Sequence, residues 1–139
     1  MRVCLDTNVL IAAFATRGLC ADVLRTVLAE HELVIGEVIL TEFRRTLSTK
    51  FKAPTERIDA AEAALAAFPV LPKPDAPAEI VLRDPADRWV LATAIAGAAE
   101  VLVTGDQDLL VASDVSPVRI LDPRAFWECL RTHESDEAR

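Results

Sequence analysis

Two acidic residues stand at the ends of apolar runs that read as buried strands. Asp6 closes Val3-Cys4-Leu5 and opens Asp6-Thr7-Asn8, after which Val9 to Phe14 begins a helix. Far downstream, Val101-Leu102-Val103 ends in Thr104-Gly105-Asp106-Gln107-Asp108. Open α/β sheets bind ligands beyond the carboxyl ends of their strands, so carboxylates at these junctions sit where ligands do. Gathered carboxylates repel, and near neutral pH they coexist only with a shared proton or a cation. The economical inference is a divalent metal. Oxygen donors without His or Cys select Mg²⁺ or Mn²⁺ over Zn²⁺. Asp6 and Asp106 are then expected at one edge of the sheet, near enough to share an ion. Asp108 would flank them, and Thr104 would donate a hydrogen bond to a carboxylate or a bound water.

Each acid also has an ordinary explanation. Asp before a helix caps it by accepting backbone N–H bonds. Here Thr7 or Asn8 is expected to serve as that cap, leaving Asp6 free; Asn8 could instead orient the Asp6 carboxylate. Asp84-Pro85-Ala86-Asp87 is a regular helix start, which explains Asp84 better than Asp87. Asp87 keeps helical spacing with Leu91 and Ile95, beside the stripe that turns inward. Glu42 lies in a helix expected over 37–50, next to the stripe Ile39, Phe43 and Leu47, and alone it reads as a solvated residue paired with Arg45. Arg44, Arg45, Lys50 and Lys52 fall within nine positions. They form either a phosphate-contacting strip or a solvated helix face, with equal weight.

The elements that must position these residues alternate. Strands are expected at 2–5, 33–35, 101–104 and 118–121, with a possible edge at 68–71. Helices are expected at 8–14, 20–30, 37–50, 55–67 (capped by Thr55), 85–98, 107–112 and 123–131. Pro72, Pro74 and Pro77 make an extended connection. Alternation of this kind builds an α/β three-layer sandwich, a mainly parallel central sheet covered on both faces. At 139 residues the chain reads as one domain over 1–131 with a polar tail at 132–139. Its 52% hydrophobic content points to a self-association surface, hence a homodimer. No run is long enough to span a membrane, and the N-terminus enters a strand directly, so no membrane role and a cytoplasmic location are expected. Cys4, Cys20 and Cys129 read as reduced core thiols. A net charge of −7 argues against non-specific nucleic-acid binding unless metal compensates the acid.

Taken together, Leu5-Asp6-Thr7-Asn8-Val9-Leu10, Leu40-Thr41-Glu42-Phe43, Asp84-Pro85-Ala86-Asp87-Arg88 and Val103-Thr104-Gly105-Asp106-Gln107-Asp108-Leu109 resemble the PIN domain, the nuclease fold found in VapC-type toxins of toxin–antitoxin pairs. The resemblance covers nearly the whole chain. It implies an acidic quartet of Asp6, Glu42, Asp87 and Asp106, with Asn8 and Thr104 in support, and it raises Glu42 above the solvated reading. Ala86 and Arg88 stand where relatives are often acidic, so Asp84 and Asp87 can share or exchange the third role. It further implies a metal-dependent endoribonuclease, an RNA substrate and a cognate antitoxin. Asp6, Asp106 and Asp87 would be the metal ligands. Three alternatives stay open: a DNA-directed nuclease of the same fold, a non-catalytic metal-binding or nucleic-acid-processing interaction module, and a phosphotransfer protein. The last wants a late lysine, whereas the lysines here are Lys50, Lys52 and Lys73.

Overall fold

In the computed structural model, which describes residues 1–137 with side chains as far as Thr132, the chain alternates as expected. The elements are β1 (Arg2–Leu5), α1 (Thr7–Ala15), α2 (Leu19–Glu30), β2 (Glu32–Gly36), α3 (Glu37–Thr49), α4 (Thr55–Leu65), β3 (Val70–Leu71), α5 (Pro85–Ala96), β4 (Val101–Val103), α6 (Gln107–Val111), a 3₁₀ turn (Ala112–Val115), β5 (Arg119–Leu121) and α7 (Pro123–Glu137). The last helix runs past residue 131 to Glu137, so most of the stretch expected as a tail continues α7. Residues 138 and 139 lie outside the described residues. Thr55 is the first helical residue of α4 rather than its cap; Pro54 holds the cap position without a side-chain bond.

All five strands are parallel, in the order β3-β2-β1-β4-β5. The chain moves outward from β1 to β2 and β3, then returns to lay β4 on the other side of β1. Right-handed crossovers in opposite directions put helices on opposite faces of the sheet. The strands are therefore buried on both sides, which is why β4 and the part of β1 after Arg2 are continuously apolar: Val3, Cys4, Leu5, Leu102 and Val103 are fully buried. The place where the strand order reverses is the gap between β1 and β4, and a crevice opens there beyond the strand ends. Register sets what faces it. Leu5 pairs with Val103, so Asp6 and Thr104 leave the sheet side by side.

Two helices carry further acids toward this edge. In α3, Ile39, Phe43 and Leu47 form the buried stripe, and the Phe43 ring meets Phe14 of α1 with centroids 5.5 Å apart. Helix α5 is held very close to the sheet. A Cβ on Gly97 would fall 2.3 Å from Val34 Cγ1, and one on Gly36 would fall 2.7 Å from Thr93 Cγ2. At its other end the proline-rich connection is bonded to α5 twice, Ala78 N–H to the Arg88 carbonyl at 3.0 Å and Arg88 Nε to the Ala78 carbonyl at 2.9 Å. Cys4, Cys20 and Cys129 are free thiols, and burial raises the pKa of Cys4 and Cys20. Among the described residues no single helix is long and apolar enough to cross a membrane. Helices α1 and α2 leave only Phe14 exposed among large apolar side chains, so much of the apolar surplus lies in the core.

Gly97→Ala should destabilise the protein by about 1–3 kcal/mol, because the new methyl group overlaps the Val34 and Leu71 side chains, and either they or α5 must shift. The denaturation midpoint would fall with an unchanged slope; an unchanged midpoint would show that α5 is not seated so tightly.

Candidate active site

Asp6 follows directly from β1 and adopts the extended backbone of a helix cap, φ −62° and ψ 154°. It is itself the cap of α1, and the expectation that Thr7 or Asn8 would take that task is corrected. Thr7 is already the first helical residue. Asp6 Oδ1 accepts the Thr7 N–H at 2.7 Å and Oδ2 accepts the Thr104 hydroxyl at 2.7 Å. Asn8 is exposed, and the hydrogen bonds that orient Asp6 come from Thr7 and Thr104 instead. Position on the helix explains this: the second helical residue points away from the cap it follows.

Thr104 is fully buried and joins two acids. Its hydroxyl donates to Asp6 and accepts the Asp106 N–H at 3.0 Å. Asp106 in turn caps α6, its Oδ1 accepting from the N–H groups of Asp108 at 2.8 Å and Leu109 at 3.3 Å. Asp108 stands on the outer side, 3.9 Å from the exposed Arg83 guanidinium. Glu42 reaches the same place from α3, and its Oε2 accepts the Thr7 hydroxyl at 3.3 Å. Thr7, expected only as a candidate helix cap, thus connects Asp6 to Glu42. The signal for it was present: a hydroxyl one position after the strand-end acid. Glu42 makes this bond rather than the expected pair with Arg45.

Asp84 and Asp87 separate cleanly. Asp84 is exposed and caps α5, accepting the Ala86 N–H at 2.9 Å. Asp87 is buried, 8% exposed, and its Oδ2 has no hydrogen-bond partner. Burial, then the charges of Asp106, Asp6, Asp84 and Glu42, push the Asp87 carboxyl up to about 7. Asp6 is raised too, chiefly by burial and then by Glu42 and Asp106, against the lowering effect of its bonds from Thr104 and Thr7. The four acids thus feel one another across the crevice.

The donor set is all oxygen, one buried carboxylate oxygen is unpartnered, and the acids destabilise one another's charge. That chemistry fits a hard divalent cation. Among the described residues, though, no three acids stand close enough together to hold an ion as they are. Asp106 has one oxygen engaged at the α6 N-terminus, so completing a shell requires side-chain rotation. The N-termini of α1, α5 and α6 carry partial positive charge beside these acids and offset part of the repulsion.

The basic strip does not act as one unit. Arg44 is paired with Asp59 at 2.8 Å and Glu62 at 2.7 Å, joining α3 to α4, so it matches the solvated-face reading more than the phosphate-strip one. Arg45 faces a groove beside Glu42. Lys50 and Lys52 are exposed beyond the end of α3, Lys52 with a left-handed φ of 49°.

Fold and site together define a doubly wound α/β domain with an acidic centre at its topological switch point. The chain matches the sequence model of the PIN domain over residues 2–108 and belongs to that family, whose members are nucleases. The matched span contains Asp6, Glu42, Asp87 and Asp106. Two solved structures share the fold. One is VapBC2 from Rickettsia felis bound to a DNA fragment from their promoter, with TM-score 0.59, 18% identity, and coverage of 88% of this chain and 98% of that chain. The other is VapBC-1 from nontypeable Haemophilus influenzae, with TM-score 0.57, 19% identity, and coverage of 89% and 99%. At these identities the likeness is one of fold. No curated protein matches the sequence.

The raised carboxyls fix a pH dependence. Between the unfolded value near 4 and about 7 the folded protein binds more protons than the unfolded chain, so stability falls as pH rises through that window. In chelator, the melting temperature should therefore decline from pH 5 to pH 7.5. Asp87→Asn should flatten the decline and exceed the wild type at pH 7.5. A wild-type profile flat over this range would refute the assigned repulsion.

Proposed function

We propose that this protein is a metal-dependent endoribonuclease, the toxin of a VapC-type toxin–antitoxin pair. The observation that carries the reading is the buried, unpartnered Asp87 carboxyl beside Asp6, Glu42 and Asp106 at the switch point. Membership of the PIN family supports nuclease chemistry. The partner assignment is supported by the fold shared with chains of two VapBC complexes.

In this reading Asp6, Asp106 and Asp87 hold Mg²⁺ or Mn²⁺, and Asp84 and Asp108 add negative charge at the rim. Such a cation, when bound, neutralises the phosphodiester, activates water and stabilises the leaving oxygen. Thr104 fixes Asp6 relative to Asp106, so the two carboxylates approach a substrate as a preset pair. Thr7 holds Glu42 at the opening, where its carboxylate can orient the attacking water and accept its proton. Arg45, Lys50 and Lys52 remain for phosphate contact. The protein acts in the cytoplasm as a homodimer, neutralised by a cognate antitoxin that occupies the acidic site; exposed Val111 and Val115 add to the apolar surface for association.

Asp6→Asn should lower RNA cleavage by more than ~100-fold, beyond the loss typical of a merely supporting partner, and keep the fold. Mn²⁺ should raise the melting temperature of the wild type more than that of the variant, since a ligand stabilises only the state that binds it. Glu42→Gln separates the quartet from the solvated reading: cleavage at the wild-type rate would remove Glu42 from the site. Single-stranded DNA cut as fast as RNA would replace the ribonuclease assignment with a DNA-directed one. Full activity in Asp6→Asn would end the nuclease proposal in this form.

A further inference from the structure

A groove of about 310 Å³ opens between α3 and α5, beside the acidic centre. Thr41, Glu42 and Arg45 line it from α3, Trp89 from α5, and Lys73 from the connection after β3. Glu42 belongs to both places, since it lines the groove and accepts the Thr7 hydroxyl at the acidic centre. The groove is therefore continuous with the proposed reaction site. The Lys73 ammonium lies over the Trp89 ring, 4.4 Å from its centroid. The backbone of the connection is fixed there by the Lys73 N–H donating to Glu37 Oε2 at 3.2 Å. No ion pair engages Arg45 among the described residues, in contrast to Arg44 one position earlier.

We propose that this groove is a subsite for one nucleotide of a single strand, with its base stacked on Trp89 and its phosphate held by Arg45 and Lys73. Three observations favour that occupant. The groove is at the small end of ligand sites, with room for a base but not for a folded partner or a helix. It combines an aromatic face with two cations, the pairing by which proteins hold single strands without reading sequence. Its charge is also balanced, because Glu37 and Glu42 face Arg45 and Lys73. In a chain of net charge −7, this is where a polyanion meets less repulsion than at the acidic centre. Lys73 occupies the indole face through an exposed cation–π contact, which is weaker than base stacking. An arriving base displaces the ammonium, which then turns to the phosphate. The subsite would hold the nucleotide flanking the scissile phosphate; only this last placement rests on the nuclease reading.

The chain has two tryptophans, so Trp127→Phe leaves Trp89 as the sole indole reporter. Titration of this full-length variant with a short 2′-O-methyl oligoribonucleotide in Mg²⁺ should quench its fluorescence saturably. An abasic oligomer of equal charge should quench it far less. Trp89→Ala and Arg45→Gln should each raise KM for RNA by roughly 5- to 100-fold, the range of one stacked base, with kcat within about twofold. Trp89→Phe should restore KM, which also covers the case in which Trp89→Ala does not fold. Equal quenching by the abasic oligomer, quenching only by a partner peptide, or an unchanged KM in folded Trp89→Ala would overturn the subsite. If the protein cleaves no nucleic acid, the nuclease reading fails, while the two titrations still decide the groove.

Discussion

Everything at the acidic centre depends on how Asp6 is tied to β4. Its amide donates to the Val103 carbonyl at 2.9 Å, extending the β1–β4 pairing by one residue, and its carboxylate accepts the Thr104 hydroxyl at 2.7 Å. One bond belongs to the backbone ladder and the other to a side chain, and both act on the same residue. Sliding β4 by one position would turn Thr104 to the other face of the sheet and break the link to Asp6. The slip would also swap Leu102 and Val103 between the two covered faces, and the close packing of both side chains opposes it. Core packing and the geometry of the centre are thus one constraint.

Repulsion opposes this arrangement, and the fold answers it unevenly. Asp6 is buried but receives two hydrogen bonds, from Thr7 and Thr104, and each favours its ionised form. Asp106 receives two backbone N–H bonds at the start of α6. Asp87 stands in the first turn of α5, but the hydrogen bond offered there, from the Ala86 N–H, goes to Asp84, and Asp87 Oδ2 receives none. Burial is the largest cause of the upward shift at both Asp6 and Asp87, but hydrogen bonds counter it only at Asp6; the Asp87 carboxyl is pushed up to about 7. The helix that carries it sits close against the sheet, an approach that Gly97 and Gly36 permit.

Strand and helix positions were legible in the sequence because each depends on a short apolar period and nearby breakers. The β1–β4 junction was legible for the same reason, with both strand ends marked by Asp. What the sequence could not supply was the division of labour among neighbours. Asp6, Thr7 and Asn8 are all able to cap a helix. Only the backbone angles decide that Asp6 does so while also bonding Thr104. Glu42 beside Arg45 has the spacing of a surface pair, and the contact with Thr7 that draws it inward spans 35 positions. Arg44 and Arg45 are identical in type and adjacent, yet α4 claims one and leaves the other facing the groove. Local spacing cannot reveal either outcome, since each is set by which distant helix packs alongside. The fold class needed only periodicity, whereas the roles of Thr7, Asn8 and Arg44 needed tertiary contacts.

The single buried side-chain oxygen or nitrogen without a partner among the described residues is Asp87 Oδ2. The other buried side-chain oxygens and nitrogens of the described residues obey the rule that buried polar groups are bonded, as Thr104 and Asp6 show. Natural proteins break such rules chiefly where function demands it. A structural role for Asp87 would be served better by Asn, which has the same shape and carries no charge to desolvate. Capping cannot explain the acid either, because Asp84 already caps α5. Pairing with a cation of the protein does not explain it, since the ion pairs among the described residues lie at the surface. In the proposed reading, a buried carboxyl whose charge the fold disfavours is suited to meet a cation from outside the chain.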